Sequence, residues 1–172
     1  MVKQLLNLSH LESEMFQLEE LIFNISVLID EVVEKYSPTM EENNVEVKIT
    51  NAADYFVKAD YLRIEQALCN YLVNAINHVD DNKYIEVRTK IKDKKIRVSV
   101  LNSGSNIPSE DLENIWESFY KVDKARSRQY GGTGLGLSIV KSIMEHHQGG
   151  YGIINHKNCV EFWFELNLVV EE

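Results

Sequence analysis

Several features that mark other classes of protein are missing from this chain of 172 residues. Nowhere do about eighteen apolar residues follow one another, which is the length that a membrane-spanning helix needs. The start of the chain, residues 1–4, also lacks the long apolar segment of a secretory signal peptide. We therefore expect a soluble domain in the cytoplasm.

Cysteine and positive charge are scarce as well. The two cysteines, Cys69 in a helical pattern and Cys159 in a strand pattern, are predicted to be buried free thiols rather than a disulfide or a metal site. Lysine and arginine number 18 against 27 acidic residues, so the net charge is −9. This balance argues against nucleic acid as the main partner, because a phosphate backbone demands a basic surface. The 44% of hydrophobic residues suffice for one sizeable core plus a small appendage.

Glycine, by contrast, is concentrated in one place. Residues 131–138 read Gly-Gly-Thr-Gly-Leu-Gly-Leu-Ser and open onto an amphipathic helical run at residues 139–147. Glycines allow close backbone approach, and a helix start offers free N–H groups to an anion, so the stretch predicts a phosphate-binding loop. It is neither a Walker A loop nor a dinucleotide fingerprint, since Leu137 follows the last glycine and the spacing is G-x-G-x-G. The alternative is a flexible surface loop.

The first residues of the chain show helical spacing of apolar side chains. Leucine or methionine recurs every three or four positions, at Leu5, Leu8, Leu11 and Met15. This spacing predicts an amphipathic helix. Because one narrow apolar stripe cannot be buried alone, we expect the helix to join a helical bundle or a dimer seam. The alternative is a helix docked on its own domain.

Further helices are predicted in the middle of the chain. The second is expected to begin at a cap on Ser26 and to kink or restart at Pro38. Asp60 is the predicted cap of the third, which runs to residue 79. A short helix capped by Ser109 is expected to turn its apolar side chains, including Phe119, inward.

Strands are predicted where apolar and polar residues alternate. They lie at residues 21–23, 45–49, 55–59, 84–91, 95–101, 151–154 and 159–166. We expect 55–59 to pair with 45–49. Two hairpins are also expected, one turning at Asp93-Lys94 and one at residues 156–158.

Carboxamides line one side of the predicted third helix. They form a narrow stripe at steps of four, four and three residues, at Gln66, Asn70, Asn74 and Asn77. Asparagine is a mediocre helix former, so an ordinary surface would favour glutamate or lysine. Amide oxygens suit Mg²⁺, which keeps several waters and shares phosphate oxygens. The stripe therefore favours a metal–phosphate ligand, with a solvated polar face as the alternative.

Two loops complete the set of motifs. Residues 102–108 are rich in turn formers and follow a predicted strand, a common place for a ligand. Residues 120–130 carry four basic residues and one acid directly before the glycines. In so acidic a chain, this reversal indicates an anionic ligand beneath a closable lid. A plain solubilising loop is the alternative.

Together and in this order, the motifs resemble the ATP-binding catalytic domain of sensor histidine kinases, in the superfamily that includes gyrase, Hsp90 and MutL ATPase domains. Residues 132–137 match the family's second glycine box letter for letter, and residues 117–121 are similar to its Phe-containing box. The resemblance implies an α+β fold. That fold is the Bergerat-type two-layer α/β sandwich, whose mixed, mostly antiparallel sheet is covered on one face by helices.

The resemblance also implies roles for individual residues. Asn74 would coordinate Mg²⁺, while the two catalytic residues, Asn70 and Lys121, would contact the phosphates or metal-bound water. The residues implied to bind ATP are Asn70, Asn74, Asn77, His78, Asn102, Gly104, Ile107, Tyr120, Lys121, Arg126, Gly132, Thr133, Gly134, Leu135, Gly136 and Leu137.

One box departs from the family. Its first glycine box usually reads Asp-x-Gly-x-Gly, and the Asp accepts a hydrogen bond from the adenine amino group. Here Asn102 replaces the Asp and Asn106 replaces the second glycine. An amide oxygen still accepts, but without charge assistance, so we expect adenine selectivity that is weaker but retained.

The function implied is transfer of the γ-phosphate of Mg·ATP to a histidine. Gyrase-like relatives carry a water-activating glutamate at the position of Asn70, and an amide is no general base, so futile hydrolysis should be slow. The alternatives are a nucleotide-binding regulatory module without transfer activity, an ATPase of the gyrase or Hsp90 class, or a protein-interaction domain with a relict pocket.

The expected organisation has two parts. Residues 1–18 resemble the C-terminal end of the family's dimerisation and phosphoacceptor hairpin, and residues 19–172 its ATP-binding domain. His10 lacks the acidic residue and proline that follow the family's phosphorylated histidine, so we expect the acceptor on a segment absent from this chain. The implied partners are that segment, a second copy in a full-length homodimer, and a response regulator. The full-length protein is expected to be anchored in the membrane, with no membrane or nucleic-acid contact by this segment.

Overall fold

Alternating apolar residues build a five-stranded sheet in the computed structural model, which describes residues 2–11, 13, 16–51, 54–122 and 133–169. The strands in these ranges are β1 (Glu20–Asn24), β2 (Glu46–Thr50), β3 (Phe56–Asp60), β4 (Tyr84–Lys92), β5 (Lys95–Ser103), β6 (Tyr151–His156) and β7 (Cys159–Asn167). The large sheet has the order β2-β4-β5-β7-β6. Only the β2–β4 pair among these neighbours is parallel.

Four α-helices occur in the same ranges: α1 (Val2–Leu11), α2 (Ile25–Glu42), α3 (Tyr61–His78) and α4 (Gly136–His146). None of these helices has both the length and the hydropathy of a membrane span.

The core lies between the sheet and the helices α3 and α4. The apolar residues Val98 and Val100 of β5 and Phe162 and Phe164 of β7 are buried, as are Ile64, Leu68 and Leu72 on the apolar face of α3. Burial of this kind contributes about 25 cal/mol per Å² of apolar surface. The predicted two-layer α/β sandwich is confirmed.

Tyr71 fixes α3 on the sheet. Its side chain is fully buried beside Phe162 and Phe164, with ring centroids 5.6 and 6.1 Å away. Its hydroxyl donates to the backbone carbonyl of Trp163 at 3.0 Å, which satisfies the one polar atom that the ring carries into the core.

The central hairpin confirms the sequence prediction. Asp93 and Lys94 both adopt positive φ, 51° and 63°, the backbone geometry of a two-residue turn that matches strand twist. β5 nevertheless continues two residues beyond the predicted end, because Asn102 and Ser103 pair with Val160 and Cys159 of β7.

The predicted pairing of residues 55–59 with 45–49 is wrong. β3 pairs antiparallel with β1 in a separate two-stranded sheet, where Ala59 lies opposite Leu21. β2 instead lies parallel to β4. Alternation of apolar and polar residues predicts that a segment is a strand, but it holds no information on which strand it pairs with.

The predicted cap of α2 is wrong, and the helix does not restart at Pro38. Its cap is Asn24, whose side-chain oxygen accepts from the N–H of Ser26 at 2.9 Å. The helix runs unbroken past Pro38, which cannot donate to the carbonyl of Glu34. That carbonyl accepts instead from the hydroxyl of Ser37 at 2.8 Å, so the helix keeps a hydrogen bond at this position.

The short helix expected after Ser109 is reduced to a single 3₁₀ turn at Asn114–Trp116. Ser109 does not cap it, and its hydroxyl donates to the neighbouring Glu110. Phe119 is 58% exposed rather than inward-facing, and its φ of 68° is incompatible with continuing a helix. The two cysteines are free as predicted, but both are only half-buried.

His147, just after α4, joins the helices to the small sheet. Its Nδ1 lies 2.7 Å from the carbonyl of Ile143 and its Nε2 lies 3.0 Å from the backbone nitrogen of Asp60. The first contact requires a donor and the second an acceptor, so the ring is neutral with its proton on Nδ1. Burial lowers the pKa of His147.

This geometry predicts a loss of stability in mild acid. Because the folded-state pKa is below the unfolded value of about 6.5, the unfolded chain takes up a proton first. The contribution of His147 is complete above that value and falls, by at most about 1.4 kcal/mol per pH unit, until the pH reaches the folded-state pKa. Urea unfolding at pH 7.5 and 5.5 measures how much the free energy of unfolding falls between the two pH values. This loss should be smaller in His147→Ala than in wild type. The exposed His10→Ala is the control and should keep the wild-type loss; equal losses in all three proteins would contradict the assignment.

Candidate nucleotide site

Three predicted motifs come together beside α3. A Cβ built on Gly104, just after β5, would lie 2.9 Å from the carbonyl oxygen of His78 at the end of α3. A Cβ built on Gly136, the first residue of α4, would lie 3.5 Å from Oδ1 of Asn70. The end of β5 therefore packs against the C-terminal end of α3, and the start of α4 packs against the side of α3 that carries Asn70.

The amide stripe is present as predicted. Asn70, Asn74 and Asn77 are all half-buried on one continuous helix. Nδ2 of Asn70 is buried and has no hydrogen-bond partner among the described residues. A buried polar atom without a partner is costly, so this donor is available to a ligand.

A second unpaired atom lies at the end of β5. Asn102 is 3% exposed, its Nδ2 donates to the carbonyl of Ser103 at 3.1 Å, and its Oδ1 has no partner within the described ranges. The donor half of this amide is therefore used, and the acceptor half is free.

Glycine is required at two positions around the site. Gly104 has φ 146° and Gly134 has φ 73°, a region that other residues rarely adopt. A Cβ on Gly134 would also lie 2.9 Å from the backbone of Phe119, whose N–H donates to the Gly134 carbonyl at 2.8 Å. The glycine loop is thereby joined to the segment that follows the 3₁₀ turn.

Tyr120 and Lys121 follow at once on that segment. The hydroxyl of Tyr120 donates to the carboxylate of Asp111, and this hydrogen bond raises the pKa of Tyr120. Lys121 is half-buried and forms no ion pair with a described carboxylate.

Sequence reasoning missed two residues that hold the site's loops. Asn155 on β6 accepts from the N–H of Ile107 at 3.1 Å and donates to its carbonyl at 2.8 Å. Gln4 on α1 accepts from the hydroxyl of Thr133 at 2.9 Å. Neither contact has a local signal in the sequence, since the partners are 48 and 129 positions apart.

Other site predictions have different outcomes. Arg126 and Gly132 lie outside the described residues, as does most of the expected lid. Leu135 is fully buried and Leu137 half-buried, so their side chains belong to the core, and only their backbones are left to meet a ligand.

Comparison with known proteins agrees with this geometry. The model of the family described as histidine kinase-, DNA gyrase B- and HSP90-like ATPases matches residues 59–169. The chain belongs to this ATPase family.

Sensor kinases are among the relatives in this family. The sensor histidine kinase WalK of Bacillus subtilis is 30% identical over 151 residues, which cover 87% of this chain and 25% of WalK. The histidine-protein kinase ArlS of Staphylococcus haemolyticus is 44% identical over 89 residues, 52% of this chain and 19% of ArlS. The chain thus spans a quarter or less of the length of these two relatives.

Solved structures of histidine kinases are also similar. The catalytic domain of histidine kinase ThkA shares 35% identity with a TM-score of 0.79, covering 87% of this chain and 96% of that domain. Full-length ShkA in complex with AMPPNP shares 25% identity with a TM-score of 0.87, covering 99% of this chain and 35% of ShkA.

The glycine loop offers a matched pair of substitutions. Gly134→Ala should lower the free energy of unfolding by about 1 to 3 kcal/mol, because alanine at positive φ is strained and its Cβ meets backbone. Gly136→Ala should change it by less than about 0.5 kcal/mol, because there the added methyl makes only an ordinary contact. Urea unfolding of both variants measures the difference. Equal effects would mean that the backbone at Gly134 is not strained as described.

Proposed function

We propose that this chain is the Mg·ATP-binding catalytic domain of a sensor histidine kinase and transfers the γ-phosphate of ATP to a histidine on a dimerisation segment. The observation that carries the proposal is the unpaired amide of Asn70 beside Gly136 at the start of α4. A helix N-terminus with a glycine in contact and an unsatisfied amide opposite suits a phosphate group. The chain's family and its likeness to the ThkA domain support the same conclusion.

The adenine end of the site is formed by Asn102. Its free Oδ1 is positioned to accept a hydrogen bond from the amino group of adenine, since its Nδ2 is already engaged. Guanine carries a carbonyl oxygen where adenine carries the amino group, and this oxygen would lie against Oδ1 of Asn102, so that two acceptors face each other. A neutral acceptor gives a weaker bond than a carboxylate, so the preference is moderate.

Nucleotide selectivity tests this end of the site. We expect ADP to bind about tenfold more tightly than GDP, since one net hydrogen bond contributes about 0.5–1.5 kcal/mol. Asn102→Ala should remove the preference and Asn102→Asp should increase it. Calorimetric titration measures the affinities, with circular dichroism as a check on folding. Equal binding of ADP and GDP to the wild type would refute the role of Asn102.

Asn74 and Asn70 are the residues we assign to Mg²⁺ and the phosphates. Both are half-buried amides on the exposed side of α3, and Asn74 forms no side-chain hydrogen bond within the described residues. Bound Mg²⁺ would neutralise charge on the phosphate oxygens. Among the described residues, no three histidine, cysteine or acidic side chains are grouped so that they could hold a metal ion. The amides alone are neutral, so metal binding here depends on the nucleotide's own phosphates.

The chemistry favours transfer over hydrolysis. Asn70 occupies the place at which gyrase-like relatives carry a glutamate, and an amide cannot take a proton from water. Phosphoryl transfer needs positioning and charge neutralisation more than covalent help, and Lys121 together with the N–H groups of α4 supplies both.

The partners follow from this assignment as proposals. We assign residues 1–18 to the dimerisation hairpin and residues 19–172 to the catalytic domain. α1 buries Leu8 and Leu11 against the catalytic domain but leaves Val2 69% and Leu6 64% exposed, which suits a second helical partner in a homodimer. A response regulator as the next acceptor is consistent with the solved complex of ThkA with the response regulator TrrA. Anchoring of the full-length protein in the membrane is likewise a proposal.

Phosphate transfer tests the proposed function. With radiolabelled ATP, this chain should label a separately supplied histidine-hairpin protein, and Asn74→Ala should lower the rate about 100-fold, the effect of about 2.7 kcal/mol of lost transition-state stabilisation. The neighbouring Val73→Ala, on the exposed side of the same helix turn, is the control and should keep the wild-type rate. Transfer unaffected by Asn74→Ala would refute the metal assignment. ATP binding without any transfer would favour a regulatory module.

A further inference from the structure

Four cations meet on the outer face of the sheet, opposite the helices α3 and α4. In the β4–β5 hairpin, Lys90 lies directly across from Arg97, and Lys92 directly across from Lys95. Directly opposite residues share a face, and like charges in such pairs destabilise a sheet. The chain carries two of these pairs side by side although its net charge is −9.

Only one of the four cations is neutralised by a described residue. Nε and Nη2 of Arg97 donate to one oxygen of Glu165 at 2.9 and 2.6 Å, and the guanidinium lies 3.8 Å from the ring centroid of Trp163. These contacts hold Arg97 in place. Lys90, Lys92 and Lys95 form no ion pair within the described ranges.

The excess charge is local to the hairpin. Farther along β4 on the same face, Arg88 is paired with the buried Glu161 at 2.6 Å. The unpaired lysines are therefore not a general property of this face.

The four cations also surround a space. Together with Glu165 they line a shallow, open surface depression of about 180 Å³. Asp93 of the turn lines an adjoining depression that shares Lys92, Lys95 and Arg97. The first depression has enough room for a phosphate or diphosphate group. It is separate from the nucleotide site, because Lys95 and Asn102 stand at opposite ends of β5, about 23 Å apart at about 3.3 Å per residue.

We propose that the β4–β5 hairpin is a second anion site, which binds a phosphate-type oxyanion through Lys90, Lys92 and Lys95 above the fixed guanidinium of Arg97. Lysine amines are compact charges on flexible stems and bind phosphate well. Such a ligand offsets the repulsion between Lys92 and Lys95 and gives Lys90 an anionic partner. A small anion fits better than a nucleic acid, because the rest of the acidic chain repels a long polyanion.

Titration of the isotope-labelled chain with inorganic pyrophosphate tests the site. Backbone amide signals of residues 90–97 should shift and saturate, and Lys90→Gln/Lys92→Gln should weaken this binding at least tenfold. The same double variant should keep the wild-type affinity for ADP and a melting temperature at least equal to that of the wild type, since it removes like-charge repulsion.

A charge-matched control separates the site from general attraction. Lys48→Gln/Lys157→Gln removes the same charge from β2 and from the β6–β7 turn, and it should leave pyrophosphate binding at the hairpin within twofold. Equal weakening in the two double variants would overturn the proposal, as would an absence of shifts at residues 90–97 in millimolar pyrophosphate.

A second measurement identifies the source of the phosphate group. Sedimentation with phosphatidylglycerol vesicles, but not with phosphatidylcholine vesicles, that is lost in Lys90→Gln/Lys92→Gln would assign a lipid headgroup. Pyrophosphate binding without sedimentation would assign a soluble phosphate compound. Both outcomes keep the proposed site, and neither depends on the nucleotide-site proposal.

Discussion

The rotation of α3 about its own axis is the constraint on which the site depends. Successive residues of a helix point about 100° apart, so a helix that slipped by one residue would carry its amides into the sheet. The buried ring of Tyr71 and its hydrogen bond to Trp163 prevent this slip. Asn70, its neighbour in the chain, is thereby directed at the start of α4. The packing of the core therefore also sets the orientation of the amide face of α3.

The site itself is made of neutral groups and backbone. Unpaired amide atoms at Asn70 and Asn102, the close backbone approach at Gly104 and the contact of Gly136 with Asn70 define it before any ligand is bound. Such a site relies on shape and hydrogen bonding for recognition, and it leaves the charge to the ligand and to Lys121. An acidic chain can bind a polyphosphate in this way without a large basic surface.

Local sequence patterns predicted most of the helices and strands and the stripe of amides on α3. They did not predict contacts between residues far apart in the chain. The turn at Asp93-Lys94 and the alternation around it were sufficient for the hairpin, because both are encoded within a few residues. The strand that pairs with β3 was not predictable, since the alternation of buried and exposed residues is the same whichever strand lies beside it. At Pro38, the carbonyl of Glu34 accepts a hydrogen bond from the side chain of Ser37, a contact that a propensity rule does not consider. Asn155 was missed for the same reason: its two hydrogen bonds to Ile107 are a property of the folded chain only.

The hydrogen bond between Thr133 and Gln4 bears on how the molecule is divided. The sequence predicts that α1 belongs to a separate segment that ends near residue 18. By contact, the hydroxyl of the glycine loop has its acceptor on that helix, and the ring of His146 on α4 lies 2.7 Å from the carbonyl of Leu11. The boundary drawn along the chain therefore passes through a packed interface. A fragment that begins at that boundary would expose the surface against which Leu8 and Leu11 pack, and the hydroxyl of Thr133 would lose its acceptor to water. The smallest intact unit of this protein therefore includes the helix that precedes its catalytic domain.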